Sequence, residues 1–365
     1  MMRAAVLRES PADLVVETVS LAAPQASEVL VRTVAAGICG SDLHVLAGRM
    51  PAARPVVLGH ESAGVVESVG SDVRGLRAGD PVMVCQSSFC GRCEHCLVGR
   101  ATLCRAAGLR SRSDGTPRMT SAGGPVNLAS GIGAFADYML VHERSVLRVP
   151  DAVSLRTAAV LGCAVVTGMG AVLHTARLVP GATAAVLGVG AIGLCCVQAA
   201  RLAGASRIIA IDESPHRRAA APAFGATDVV DPAAGDVVQV VKDLTGGGVE
   251  YSFEAVGSAA TVERSFAMLR KGGVCTVIGI VPTSTPISLR ASELLAERRL
   301  QGSANGSNRF HRDVPRYLEL YRQGRLMLDE MVGAAVPLEA ISAGMELASR
   351  RAGPRTMVTF GDDNP

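Results

Sequence analysis

Two hydrophobic rhythms divide the chain. Up to Val34, short β-branched runs such as Val15-Val16 and Val29-Leu30-Val31 are broken by Pro11, Pro24 and polar residues. That pattern predicts strands and turns of a β-rich domain. Residues 63–70 and 135–141 also read as strands, whereas residues 110–133, rich in Ser, Gly and Pro, predict a long loop. A helix is predicted after Pro150, with Ser154 as its N-cap. From Ala184 the rhythm changes. The buried run Ala184-Ala185-Val186-Leu187 is followed by a glycine motif and an apolar helix ending near Gly204. Strands then recur at 207–211, near 228–230, at 251–257 and at 273–280, with a helix through Arg270. This alternation predicts an α/β fold with a doubly wound parallel sheet. Past Leu300 the alternation is lost, and the closing strand 355–360 is expected to return to the first domain.

Two stretches, 157–176 and 182–200, lack Asp, Glu, Lys and Arg over the length of a membrane span. Their glycine punctuation, and the phosphate-binding pattern inside the second, assign both to buried elements of a soluble sheet, with no membrane partner. With 48% hydrophobic and 19% charged residues among 365, the chain suits two ordinary globular domains. A net charge of +3 without a basic block argues against a nucleic-acid partner. Ten cysteines behind a start that turns polar at once point to a reducing, cytoplasmic setting.

The densest chemistry is Cys90, Cys93, Cys96 and Cys104, at C-x2-C-x2-C-x7-C spacing. Four thiolates this close can enclose one Zn2+ with no open position, as in a structural site. The alternative is a disulfide knot, for which four cysteines offer three pairings; a long, well-packed chain has little need of one. Three further candidates are scattered. Cys39 opens Cys39-Gly40-Ser41-Asp42-Leu43-His44, His60 lies in Gly59-His60-Glu61, and Cys163 taken alone is an ordinary buried thiol. The motif Gly188-Val189-Gly190-Ala191-Ile192-Gly193 sits between strand and helix, with Asp212 nineteen residues past Gly193. That placement marks a dinucleotide site: glycines admit a pyrophosphate, and the acid accepts ribose hydroxyls. A carboxylate repels a 2′-phosphate, which favours NAD over NADP, although Arg217 and Arg218 stand nearby.

In order and spacing, Cys39, Gly59-His60-Glu61, the four-thiol loop, Cys163, the glycine motif and the Arg355-Thr356 strand resemble the zinc-dependent medium-chain alcohol dehydrogenases, from residue 3 to residue 360. The longer, liver-type branch is the nearest likeness. The resemblance implies a GroES-like catalytic domain (1–164 and 305–365) around a Rossmann domain (165–304), two Zn2+ per chain and NAD(H). It implies that Cys39, His60 and Cys163 bind a catalytic zinc with one open position, that Glu61 lies behind it, and that Asp42 orients the ligand imidazole. Ser41 and His44 match the family's proton relay. Gly188, Gly190, Gly193, Asp212 and Arg217 match the adenosine and pyrophosphate side, Thr167 and Ile192 the nicotinamide side, and Arg355 a pyrophosphate oxygen. Liver-type members commonly carry a basic pyrophosphate contact where this chain has Gly40, so weaker coenzyme binding is expected unless another basic residue compensates. Gln86 replaces an aromatic pocket residue and Ala129-Ser130 replace bulky apolar ones, which implies a wider, more polar pocket for a bulky or functionalised secondary alcohol, its ketone, or an aldehyde. Met50 and Gly108 stand where glutathione-dependent relatives carry charges, which argues against that activity. A homodimer joined through a strand over residues 280–289, broken by Pro282 and Pro286, is the expectation by analogy.

Other readings share the fold. A reductase of an imine or conjugated double bond would use the same zinc with NADPH. A redox- or zinc-responsive nucleotide-binding protein, or a structural crystallin-like role, would not require the intact set Cys39, Ser41, His60 and Cys163.

Overall fold

The computed structural model describes residues 1–350 and 353–361. Its β-rich part is built from two assemblies. Strands Met2–Leu7, Val15–Leu21, Met119–Ser121, Gly124–Leu128 and Val56–Val57 close a small barrel, and beside it lies a seven-stranded sheet. That sheet runs in the order Val146–Arg148, Pro81–Cys85, Glu61–Val69, Glu28–Gly37, Arg355–Thr359, Val332–Pro337, with Tyr138–His142 also pairing Glu28–Gly37. The terminal strand does return: Met357 faces Gly37 in an antiparallel ladder. Its arrival brings Arg355 beside the ends of the two central strands.

The expected loop at 110–133 is instead partly a hairpin, with Thr120 paired to Pro125 and Ser121 to Gly124. Its strands are too short and too Gly/Pro-rich to show an alternating pattern, and they are pinned from outside. Buried Glu28 accepts hydrogen bonds from both Arg112 Nη2 and Arg118 Nε at 2.7 Å.

The second sheet is all parallel, in the order Asp228–Val230, Arg207–Ile211, Thr183–Leu187, Val249–Glu254, Leu269–Val277, Arg299–Gly302. Numbered along the chain this is 3-2-1-4-5-6, the dinucleotide-binding order whose switch point lies between the first and fourth strands. The expected strand over residues 280–289 does not form in the protomer. Pro282 and Pro286 remove donors there, and the stretch is largely exposed with no ladder.

Helix 155–176 is apolar and long enough to span a membrane, yet 89% of its most apolar window is buried within the protein. Gly162, Gly168 and Gly170 let backbone reach its surface; a Cβ at Gly170 would lie 2.1 Å from the carbonyl oxygen of Gly306. The apolar helix Ala191–Leu202 packs against it. Gln198 in that helix exchanges two hydrogen bonds with the backbone of Met327, at 2.8 and 3.1 Å, which ties the nucleotide sheet to the C-terminal segment.

Candidate metal and coenzyme site

Cys39 follows strand Glu28–Gly37 and caps the short helix Gly40–Leu46, while His60 immediately precedes strand Glu61–Val69. Gly37 and Glu61 are register partners, so the thiol and imidazole emerge from neighbouring strand ends. Cys163 arrives from the other side, in the π-helical turn Leu161–Val165 of the long helix. Such turns widen a helix locally and are common where a side chain serves a site. All three residues are buried, and their ligand atoms lie within 4.8 Å of one another.

Asp42 sets two of them. Its carboxylate accepts the Cys39 N–H at 2.9 Å and the Gly59 N–H at 3.2 Å, and its Oδ1 lies 3.5 Å from His60 Nδ1. With Nδ1 turned to a carboxylate, Nε2 carries the lone pair, and that atom is buried without a hydrogen-bond partner. A buried polar atom left without a partner is costly unless something else takes the lone pair. The Cys39–Cys163 sulfur separation is 4.0 Å, close to the ~3.8 Å edge of a tetrahedron with ~2.3 Å Zn–S bonds. A hydrogen bond from Cys163 holds the Cys39 thiol well below its usual range despite burial, and Arg355 and His60 add to the effect. The donor set therefore fits a zinc ion.

Behind it, Glu61 is fully buried and accepts Arg355 Nε at 2.8 Å and the Ala164 N–H at 3.3 Å. Burial pushes its carboxyl up to about 7, against the pull of the Arg355 guanidinium. Arg355 also donates to the Ile38 carbonyl at 3.0 Å. Gly37 is required here, since a Cβ would fall 2.5 Å from Glu61 Oε1.

The four-thiol loop closes on itself. Cys93–Cys96, Cys90–Cys96 and Cys93–Cys104 sulfurs are 3.5, 3.9 and 3.9 Å apart, and none of the four is in a disulfide. Backbone N–H groups, that of Arg92 foremost, bring Cys90 down to about 6, while burial pushes Cys96 up to about 12. Such a set cannot ionise fully without a cation to share the charge. This geometry favours the metal reading over the disulfide knot.

A cavity of about 440 Å3 leads from Cys39, Ser41 and His44 to Gly188, Gly190, Ile192, Gly193, Asp212 and Arg217, with Arg355 also in its wall. Gly193 admits no side chain, because a Cβ would lie 1.9 Å from the Gly188 carbonyl oxygen. Asp212 accepts the Val189 N–H and the Ser214 N–H, each at 2.9 Å, so its carboxylate is fixed at the strand end. These residues fit an adenosine and diphosphate. Thr167 is buried in the long helix and does not line this cavity.

On the other side of the metal triad, Gln86 Nε2 lies 3.8 Å from Cys163 Sγ and 3.4 Å from Asn305 Oδ1, and Gln86 Oε1 accepts the Ser130 hydroxyl at 3.0 Å. Ala129 packs against the apolar core of the β-rich part. Ser130 and Asn305 both hold left-handed backbone, at φ of 56° and 46°, a conformation non-glycine residues seldom keep unless their surroundings impose it. Sequence reasoning missed Asn305. The Asn305-Gly306 pair signals a turn, but only the fold shows which site the turn faces.

Residues 25–151 match the alcohol dehydrogenase GroES-like domain and residues 191–323 the zinc-binding dehydrogenase domain. Alcohol dehydrogenase class-3 of Myxine glutinosa is 37% identical over 364 residues, covering 98% of this chain and 97% of that protein. The chain belongs to the zinc-dependent medium-chain alcohol dehydrogenases. Among solved structures, an alcohol dehydrogenase zinc-binding domain protein from Burkholderia ambifaria (34% identity) and benzyl alcohol dehydrogenase from Acinetobacter calcoaceticus (29%) each superpose with a TM-score of 0.93, covering 99% of both chains. Membership makes this protein an oxidoreductase of the zinc-dependent alcohol dehydrogenase type, with a GroES-like domain and a Rossmann-type parallel sheet.

Proposed function

We propose that this dehydrogenase interconverts a polar, bulky alcohol and its carbonyl with NAD(H), holding two zinc ions per chain, at Cys39, His60 and Cys163 and at Cys90, Cys93, Cys96 and Cys104. The observation that carries this reading is the cavity running from the fixed carboxylate of Asp212 to the thiol of Cys39. A dinucleotide filling that cavity would reach the thiol of Cys39, the member of the triad that stands in its wall.

Zinc at the triad supplies Lewis acidity, which lowers the pKa of an alcohol hydroxyl or polarises a carbonyl. The protein's own groups do the rest. Asp42 holds the His60 tautomer, and the Glu61–Arg355 pair backs the site with a buried, bonded charge. Ser41 and His44 line the cavity that leads outward, as a proton route requires. NAD(H) is favoured because Asp212 would repel a 2′-phosphate. Of the two nearby cations able to offset that, Arg218 is committed to Asp231 at 2.6 Å and to the Asp212 and Glu213 carbonyls, and Arg217 faces the Asp212 carboxylate itself at 3.6 Å. Polar substrates are favoured by Gln86, Ser130 and Asn305, whose spare donors and acceptors would go unmet beside an aliphatic chain. A homodimer is favoured by edge strand Arg299–Gly302 and by exposed Ile280, Ile287 and Leu295 beside it.

The test combines zinc content per chain with NADH and NADPH oxidation on paired polar and apolar ketones. Two zincs, at least about tenfold higher kcat/KM with NADH, and a polar preference that Gln86→Leu reverses are expected. A preference for NADPH, or for simple aliphatic substrates, would overturn the corresponding part.

A further inference from the structure

Helix Gly40–Leu46 ends on Gly48, whose φ of +72° turns the chain back so that the Arg49 N–H reaches the His44 carbonyl at 2.8 Å. Ser10 Oγ holds this corner, donating to the Val45 and Leu46 carbonyls at 2.9 Å. The fold-back sets Arg49 Nε against His44 Nδ1 at 3.1 Å. Arg49, His44, Ser41 and Gly40 share the wall of the coenzyme cavity.

That cavity is cationic. Arg49, Arg217, Arg264, Arg350 and Arg355 line it, against Asp212 and Glu213. Most of these cations already have other work. Arg355 is bound to Glu61, Arg350 to Glu346, and Arg217 lies 3.6 Å from Asp212. Among the described residues neither Arg49 nor Arg264 pairs with a carboxylate, and Arg49 Nε donates to the His44 ring. A guanidinium bonded through Nε keeps its Nη donors for an anion. Arg49 lies three residues past the last residue of the helix that Cys39 caps, and Gly40 at the start of that helix presents no side chain of its own.

We infer that Arg49 is the residue of this chain that contacts the coenzyme's diphosphate, in place of any side chain at position 40, and that this contact competes with its hydrogen bond to His44. The inference rests on the NAD(H) reading above. While Arg49 donates to Nδ1, that nitrogen has no lone pair to offer. When the guanidinium turns to a diphosphate, Nδ1 is released and the imidazole becomes able to take a proton relayed from Ser41. Coenzyme binding and the readiness of the relay are thereby coupled through one side chain.

The test is binding. The zinc-loaded wild type, Arg49→Gln and Arg322→Gln, a change outside the cavity wall, are titrated with NADH, followed by nucleotide fluorescence, and with adenosine, which lacks the diphosphate. Arg49→Gln weakens NADH by about tenfold or more, while its affinity for adenosine and the affinities of Arg322→Gln are unchanged. Adding Gly40→Arg to Arg49→Gln restores NADH affinity, because a Cβ at position 40 meets nothing within 4 Å and the new guanidinium has room. In spectra of 15N-labelled histidine, NADH moves the His44 Nδ1 resonance in the wild type, and Arg49→Gln shows the moved position before NADH is added. Equal NADH affinity in wild type and Arg49→Gln overturns the phosphate contact while leaving the nucleotide reading intact, and equal losses for NADH and adenosine overturn it as well. An unmoved His44 resonance overturns the coupling. A wild type that binds neither ligand overturns this inference and the NAD(H) reading together.

Discussion

Asp42 shows how much of the site depends on residues that never touch substrate. One carboxylate accepts the N–H of Cys39 and that of Gly59 and faces the ring of His60, so two of the three triad residues take their positions from it. Asp42→Ala is expected to weaken zinc at the triad by about 10- to 100-fold while sparing the four-thiol loop. Metal content after dialysis against graded chelator checks this; loss of both zincs in parallel would show general unfolding instead. The identities of the triad and of Asp42 were legible only through the family resemblance, because Cys39, His60 and Cys163 are scattered along the chain and Cys163 taken alone reads as an ordinary buried thiol. Gln86 was legible as a departure from an aromatic. Its partner Asn305 was not, since 219 residues separate the two in sequence and the contact exists only once the turn Ala304–Ser307 is packed by the end of strand Pro81–Cys85. Arg49 was hidden for a related reason: nothing local says that a glycine corner folds it back over His44.

At the scale of elements, helix Phe310–Arg322 latches the C-terminal segment to the long central helix. Asp313 in its first turn is buried, accepts the Arg309 N–H at 2.7 Å and Arg312 Nε at 2.8 Å, and meets His174 Nε2 of the central helix at 3.1 Å. Burial alone would push the Asp313 carboxyl up; these donors, His174 first, bring it down to about 2. Its folded value is thus below the unfolded ~3.9, so its stabilisation is complete above about pH 4 and fades as pH falls toward the folded value. Asp313→Asn should be less stable than wild type at neutral pH, and the gap in urea midpoint should narrow from about pH 6 to about pH 3. A gap that stays constant with pH would detach the latch from this carboxylate. The adjacent Thr175 reinforces the connection, its hydroxyl lying 2.8 and 2.9 Å from those of Ser303 and Ser307 on either side of Asn305. The start of the central helix was readable from its N-cap Ser154 and the burial of 157–176 from its apolar content, but the π-helical turn at Cys163 was not, because the same residues would satisfy a regular helix.

For the whole molecule, the alternation of strand and helix from residue 184 gave the parallel sheet directly, since buried parallel strands are apolar throughout and their connections are short. The β-rich part was readable as strands but not as a barrel beside a sheet, because its closing pairs, such as Val56 with Asn127, join residues far apart in sequence. Putting the two parts together yields an arrangement that neither contains alone. The triad lies at 4–6% exposure, reached by way of Cys39 from a cavity whose far wall belongs to the nucleotide sheet, whereas the four-thiol loop sits half-exposed and away from that cavity. A ligand filling the cavity therefore shields one metal position and leaves the other as it was. With NADH bound, removal of zinc from the triad by a small chelator should slow by about tenfold or more, the fraction of time the cavity stands empty setting the rate, while removal from the loop keeps its speed. Time-resolved zinc release with a colorimetric chelator separates the two phases, assigned by a Cys96→Ser variant that lacks the loop site. Equal slowing of both phases would mean that NADH acts by stiffening the whole fold, and no slowing of either would mean that the triad is reached by a route other than the coenzyme cavity.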